Sequence, residues 1–202
     1  YSEFRSLGET AFVGYTDLAH ESEVLGLIVD GHPAASASTG QQVELILAST
    51  ALYAESGGQE ADSGQITSAA RGLVADVVDV QRPIAGLVSH TVSIVSGEVA
   101  VGDRVERIVD AGYRRSANQA HTATHLLHAA LRDVLGPDAH QSGSYNKAGY
   151  LRLDFSWSQA LTNDTKAELE GIVNDAIRAN HVVTTREMDL DEAKSLGSRR
   201  SR

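Results

Sequence analysis

No cysteine occurs in the 202 residues. Disulfides and thiolate ligands are therefore excluded, and any metal this chain holds must sit on histidine, carboxylate and water. Long apolar runs are missing too: none approaches the roughly 18 residues that mark a membrane-spanning helix. The N-terminus shows no basic, apolar and small-residue succession of the kind a signal peptide carries, so the chain reads as cytoplasmic. Positive charge is scarce, with 17 Lys and Arg against 27 Asp and Glu and a net charge of −10. A protein that coats nucleic acid without sequence preference needs a surplus of Lys and Arg to neutralise phosphate, and that class is excluded. A local basic patch is not. Arg104, Arg107, Arg114 and Arg115 cluster mid-chain and Arg199, Arg200 and Arg202 end it, as solvated surface charge or as a phosphate contact beside a site. No internal repeat is present.

What remains is enough to fold: 42% of the residues are apolar and 22% charged, material for one large domain or two small ones. The first half carries short β-branched runs at Leu27 to Val29, Val43 to Leu47, Leu73 to Val80, Leu87 to Val95 and Arg104 to Val109. Several alternate in period two. Turn residues at Gly31 to Pro33, Gly57-Gly58, Pro83 to Gly86 and Gly97 separate them, and no helical pattern intervenes, which predicts an antiparallel barrel or sandwich. Near Asp110 the pattern changes. A helix starts between Asp110 and Ser116, whose spacing to Gln119 allows a capping box, and stops at Gly136-Pro137. Its buried stripe is Ala120, Thr124, Leu127, Leu131 and Val134. Tyr150 to Phe155 alternates as a strand, Thr162 caps a second helix with an apolar face of Leu169, Ile172, Val173, Ala176 and Ile177, and Val182 to Met188 reads as a further strand. The class is α+β, with two subdomains meeting near residue 110.

Chemistry concentrates in NQAHTATHLLHAALRDVL. On a helix His121 and His125, four positions apart, project from one face and can reach a single metal ion or substrate group. Such spacing arises by accident in roughly a third of chains with this many histidines, so it needs context. Thr124 falls on the buried stripe, whereas Thr122 is exposed or lines a cleft. His128 continues the face one turn on, as a third ligand, a hydrogen-bond partner behind the ligands, or neither. His20, His32, His90, His140 and His181 have no partner spacing and read as surface or internally satisfied histidines. In YAESGGQEADSG, Gly57, Gly58 and Gly64 permit tight turns, and Glu55, Gln59 and Asp62 either bond main chain or reach toward a cleft. A phosphate-cradling loop would require a following helix N-terminus and a lysine, which are absent.

In order, FVGYTDL, VLGLIVDG, LYAESGGQEADSGQI, NQAHTATHLLHAALRDVLG, HQSGS, YLRLDFSW and VVTTREMDLDEAKSLG resemble the editing domain of alanyl-tRNA synthetase with its preceding β-barrel segment, and the related free-standing AlaX proteins. The resemblance covers residues 10 to 197. It implies an antiparallel β-barrel-like subdomain over residues 1–110, an α+β editing core with a long HxxxH helix over 111–197, and a divergent basic tail over 198–202. It also implies a zinc-dependent hydrolase that removes serine or glycine wrongly attached to tRNA(Ala). His121 and His125 match two of the family's zinc ligands, and Thr122 lies between them. Gln141 and Ser142 match the segment that faces the aminoacyl group; on their own they also read as a polar turn. Such an activity answers a physical need. A site shaped for alanine rejects glycine through one missing methyl, worth about 1–3 kcal/mol, and serine is alanine plus a hydroxyl. A second pocket that hydrogen-bonds the serine hydroxyl reverses the test, because its polar groups stay unpaired when alanine enters.

The family completes its zinc site with a downstream Cys-x-x-x-His element that these 202 residues lack, so zinc is expected to be weak or absent here. ATP belongs to the alanine-activating domain, also outside these residues, and the remainder of the synthetase is an expected partner. Three readings follow. One is an editing-domain piece of the synthetase; the second is a noncatalytic tRNA-binding or interaction module keeping the fold without metal. The third is an unrelated zinc hydrolase, which needs an acidic ligand that the histidine helix does not supply.

Overall fold

Alternation in the first half produces strands that close on themselves. The structure, a computed structural model, describes residues 1–14, 19–182, 184, 186, 188, 189, 191 and 192, without the side chains of residues 5 and 7. The chain divides into two compact units, Tyr1–Ser56 with Glu60–Ser116, and Gly57–Gln59 with Ala117–Arg202. The Gly57–Gln59 triplet thus belongs with the second unit.

The first unit opens with a 3-10 helix, Ser2–Leu7, followed by β1 (Ala11–Phe12), β2 (Ala19–Val29), β3 (His32–Ala34), β4 (Ser36–Ser38), β5 (Gln42–Leu47), β6 (Ser49–Thr50), β7 (Gly64–Ser68), β8 (Leu73–Ile84), β9 (Leu87–Ser96), β10 (Glu98–Ala100) and β11 (Arg104–Val109). Six of them pair antiparallel in the order β11-β7-β8-β9-β5-β2, and β11 returns to β2 with Ile108 opposite Ala19, which closes a barrel. Closure leaves the inner face as core. Val24, Leu27, Leu45, Leu47, Ile66, Val92 and Val105 fill it. A smaller cluster forms where Phe4 of the 3-10 helix meets Ile28, Ile46 and Leu87.

Period two also carries polar groups inward. In β9 Val88, His90, Val92 and Ile94 share the buried parity, and His90 is fully enclosed. Its Nδ1 lies 3.0 Å from the Leu45 carbonyl, which can only accept, so Nδ1 bears the proton. Its Nε2 then accepts from Thr50 Oγ1 at 2.8 Å, and Thr50 Oγ1 accepts in turn from the Leu52 N–H. In β11 Val105, Arg107 and Val109 form the inward parity, and Arg107 is completely buried. Its guanidinium donates to the His20 and Glu21 carbonyls while Nη1 has no partner among the described residues. Burial pushes its pKa down to about 10, still protonated at neutral pH.

The arginine cluster thus comes apart. Arg107 is neither surface charge nor a phosphate contact but an internal clamp on β2. Arg114 is equally committed: its Nε donates to both Asp62 oxygens at 2.8 and 2.9 Å, Nη1 donates to Gly14 O and Nη2 to Ala51 O. Of the four mid-chain arginines, Arg104 and Arg115 stand exposed.

A helix α1 (Ala111–Leu135) begins in the first unit and continues in the second, which adds β12 (His140–Lys147), β13 (Tyr150–Ser156) and α2 (Asn163–Ala179). Asp110 is its cap, with Oδ1 accepting from the Tyr113 N–H at 2.9 Å. Ser116 lies inside the helix, so the Ser116–Gln119 capping box does not form. Gly136 ends it at φ 97, a conformation that favours glycine. Ala120, Thr124 and Leu131 are buried along with Ala117 and Ala130, while Leu127 and Val134 are partly buried. Ala130 and Leu131 of α1 pack with Leu169 of α2, against Leu153 and Phe155 of β13 and Val173 of α2. Thr162 caps α2 by accepting from the Thr165 N–H. The α2 stripe is narrower than its composition predicts: Ile172 and Ile177 are exposed. In the stretch Val182 to Met188, Val183, Thr185 and Glu187 lie outside the described residues, as does the tail 198–202. Among the described residues no helix is long and apolar enough to cross a membrane.

Candidate functional site

Within the second unit the histidine face of α1 is backed by the glycine turn. The His121 and His125 rings stack with centroids 4.9 Å apart and planes inclined by 27°. His125 is exposed and His121 half-buried; burial first, and then the neighbouring His125, hold the His121 pKa below the ordinary histidine value. Behind His121 stands Gln59, itself buried, whose Oε1 lies 2.9 Å from His121 Nδ1.

Local geometry explains how a loop residue gets there. Gly58 has φ 79, and a Cβ on it would sit 2.5 Å from the Ser144 carbonyl, so only glycine lets the turn press against β12. The Gly58 carbonyl accepts from the Asn146 N–H at 2.6 Å, and Gln59 forms a bridge with Asn146. Asn146 is fully buried, and its Oδ1 receives a hydrogen bond from the Thr124 hydroxyl, which also reaches the Ala120 carbonyl at 3.0 Å. One connected set, Gln59–His121 and Thr124–Asn146, therefore supports the face from which His125 projects.

Gln141 and Ser142 lie in β12, not in a turn, and the structure separates them. The β12–β13 register runs Asn146 opposite Leu151, Ser144 opposite Leu153 and Gln141 opposite Phe155, with a bulge between Gln141 and Gly143. Directly opposed residues share a face. Gln141 consequently joins Ser144 and Asn146 on the face whose partners Leu153 and Phe155 pack into the helical core. Ser142 is the extra residue of the bulge, exposed and 3.1 Å from the Ser156 hydroxyl. Thr122 is exposed on α1. Gln59 is the site residue whose role the sequence left open; only its place after two glycines hinted at it.

As a metal site the arrangement is partial. With Gln59 on Nδ1, His121 keeps Nε2 available beside His125, yet no group of three or more His, Cys, Asp or Glu side chains able to hold a metal occurs among the described residues. Two imidazoles fit half of a four-donor zinc site and do not make a whole one.

A family model described as tRNA synthetases class II (A) matches residues 2–113. The chain belongs to that family. The match ends before His121 and His125 in sequence, and similarity to individual synthetases carries through the rest of the chain. The alanine–tRNA ligase of Leifsonia xyli subsp. xyli is 63% identical over 198 residues, covering 98% of this chain and 22% of that protein. The alanine–tRNA ligase of Clavibacter sepedonicus is 58% identical over the same length, and that of Mycobacterium bovis 45% identical over 208 residues. This class II synthetase chain thus spans about a fifth of the length of the curated relatives it matches, 22% in the first two cases. Those relatives are named for an enzyme.

Proposed function

We propose that this chain is the aminoacyl-ester editing part of an alanine–tRNA ligase, hydrolysing serine or glycine from mischarged tRNA(Ala) in the cytoplasm, with ATP used only by the ligase's activating domain. The observation that carries this reading is the paired His121 and His125 on one helix face, backed by Gln59. The relatives' names supply the tRNA. The reaction adds water across the ester between the amino acid and the terminal ribose, releasing the free amino acid and a ribose hydroxyl.

His121 and His125 would supply two of four donors for zinc, whose chemistry at such a site is to polarise the ester carbonyl or acidify a water. The protein's own side chains do the sorting. Gln141, placed on the inner face of β12 by the bulge, offers both a donor and an acceptor to a serine hydroxyl. Ser142 is the weaker candidate, since it is exposed and bonded to Ser156. Thr122, exposed one residue from His121, has room to contact the aminoacyl group.

Deacylation of seryl-, glycyl- and alanyl-tRNA by this chain, beside a version extended through a Cys-x-x-x-His element, tests the reading. Gln141→Leu in the extended chain should alter the seryl-to-alanyl ratio by about 2- to 13-fold, one hydrogen bond of about 0.5–1.5 kcal/mol. His125→Ala should depress hydrolysis of all substrates together. An unchanged ratio with a fully active His125 variant would sink both roles. The presence of two metal donors and no third among the described residues favours a second reading, a noncatalytic tRNA-binding module. Binding of tRNA with no deacylation by the extended chain selects it.

A further inference from the structure

The turn SGGQ places a side-chain carbonyl against a ring nitrogen 62 positions along the chain. Gln59 is 4% exposed, and its path is set by main chain: Gly58 at φ 79 against the Ser144 carbonyl, the Asn146 N–H on the Gly58 carbonyl, and the bridge between Gln59 and Asn146. A buried side chain built in this way has little freedom to move off its partner. A carbonyl oxygen can only accept, so the 2.9 Å approach of Oε1 to Nδ1 requires the proton on Nδ1. In a neutral imidazole that leaves Nε2 as the lone pair.

We infer that Gln59 is a positioning residue for His121: its Oε1 fixes the Nδ1–H tautomer and the ring direction, so that the Nε2 lone pair is presented beside His125. An imidazole with no such partner favours the opposite tautomer, with the proton on Nε2, where it can accept neither a metal nor a substrate proton. The inference rests on the deacylase reading for the use made of the lone pair, and not for its direction.

The test uses the 202-residue chain and the ring nitrogens of His121 in heteronuclear NMR at a pH where the ring is neutral. The wild-type ring should show a protonated Nδ1 and an unprotonated Nε2. Gln59→Leu should move His121 toward the Nε2–H form, with the β12–β13 amide pattern retained, and Gln59→Glu, which keeps an acceptor, should restore the Nδ1–H form. A wild-type His121 protonated on Nε2 overturns the assignment without recourse to any variant. So does a folded Gln59→Leu chain whose His121 tautomer is unchanged. Deacylation by the full-length protein is read separately. If the tautomer is as inferred while seryl-tRNA is not hydrolysed, the proposed activity fails and the role of Gln59 stands.

Discussion

Acidification should loosen the barrel through His90. Its ring is enclosed and both nitrogens are committed, Nδ1 donating to Leu45 O at 3.0 Å and Nε2 accepting from Thr50 Oγ1 at 2.8 Å. A second proton would land on Nε2 and face a hydroxyl already receiving the Leu52 N–H, next to the Arg107 charge. Burial, offset partly by the Leu45 bond and reinforced by Arg107, pushes the pKa from 6.5 to about 4. The folded state therefore holds the neutral ring, while the unfolded chain takes up a proton as the pH falls through about 6.5. The stabilisation is complete above that value, declines between about pH 6.5 and pH 4, and changes no further below. The shift corresponds to about 3 kcal/mol in total, of which about 2 kcal/mol disappears between pH 7 and pH 5. Urea unfolding followed by far-UV circular dichroism at both pH values, on wild type and His90→Gln, isolates this group from the carboxylates. Wild type should lose about 2 kcal/mol more than the variant over that interval. Parallel losses, or an NMR titration placing His90 near its ordinary value, would refute the argument.

Asp62→Ala should destabilise the first unit by about 3–5 kcal/mol in the same unfolding assay, because it strands a guanidinium held by an almost fully buried carboxylate. Gly58→Ala, which needs a left-handed backbone and places a methyl 2.5 Å from the Ser144 carbonyl, should cost at least about 1–3 kcal/mol; an unchanged melting temperature would contradict the close approach. After chelation and dialysis the 202-residue chain should retain well below one zinc per molecule by atomic absorption, since among the described residues His121 and His125 converge without a third donor; stoichiometric metal would reveal donors beyond them.

The barrel was legible where strands are β-branched. β5, β8, β9 and β11 all fall on such runs. β7, reading GQITS, has one large apolar side chain, Ile66, and β12, reading HQSGSYNK, has no β-branched residue at all. Both are strands because a partner's backbone recruits them. The burial of Arg107 was readable in principle from parity, since it alternates with valines along its strand, but its charge argued for the surface; His90 read as either surface or internally satisfied, and its place in β9 decides for the second. The helix starts at Ala111, inside the window from Asp110 to Ser116, but its cap is not the one expected, because Asp110, just after β11, supplies it before Ser116 is reached. In the candidate site, the helical spacing of His121 and His125 could be read locally. The Gln59 contact could not, because it joins residues far apart in sequence, and the bulge that parts Gln141 from Ser142 is a property of the paired strand.

Closure of the sheet by β11 also constrains the order of events during synthesis. β11 pairs with β2 and β7 at once, Arg107 lying opposite His20 on one side and Ile66 on the other. Until residues Arg104–Val109 have left the ribosome, those two strands carry unsatisfied edges, and contacts so distant in sequence form slowly. A nascent chain stalled upstream of Arg104 would thus display two adhesive edges, making premature termination there a route to aggregation rather than to a smaller stable barrel.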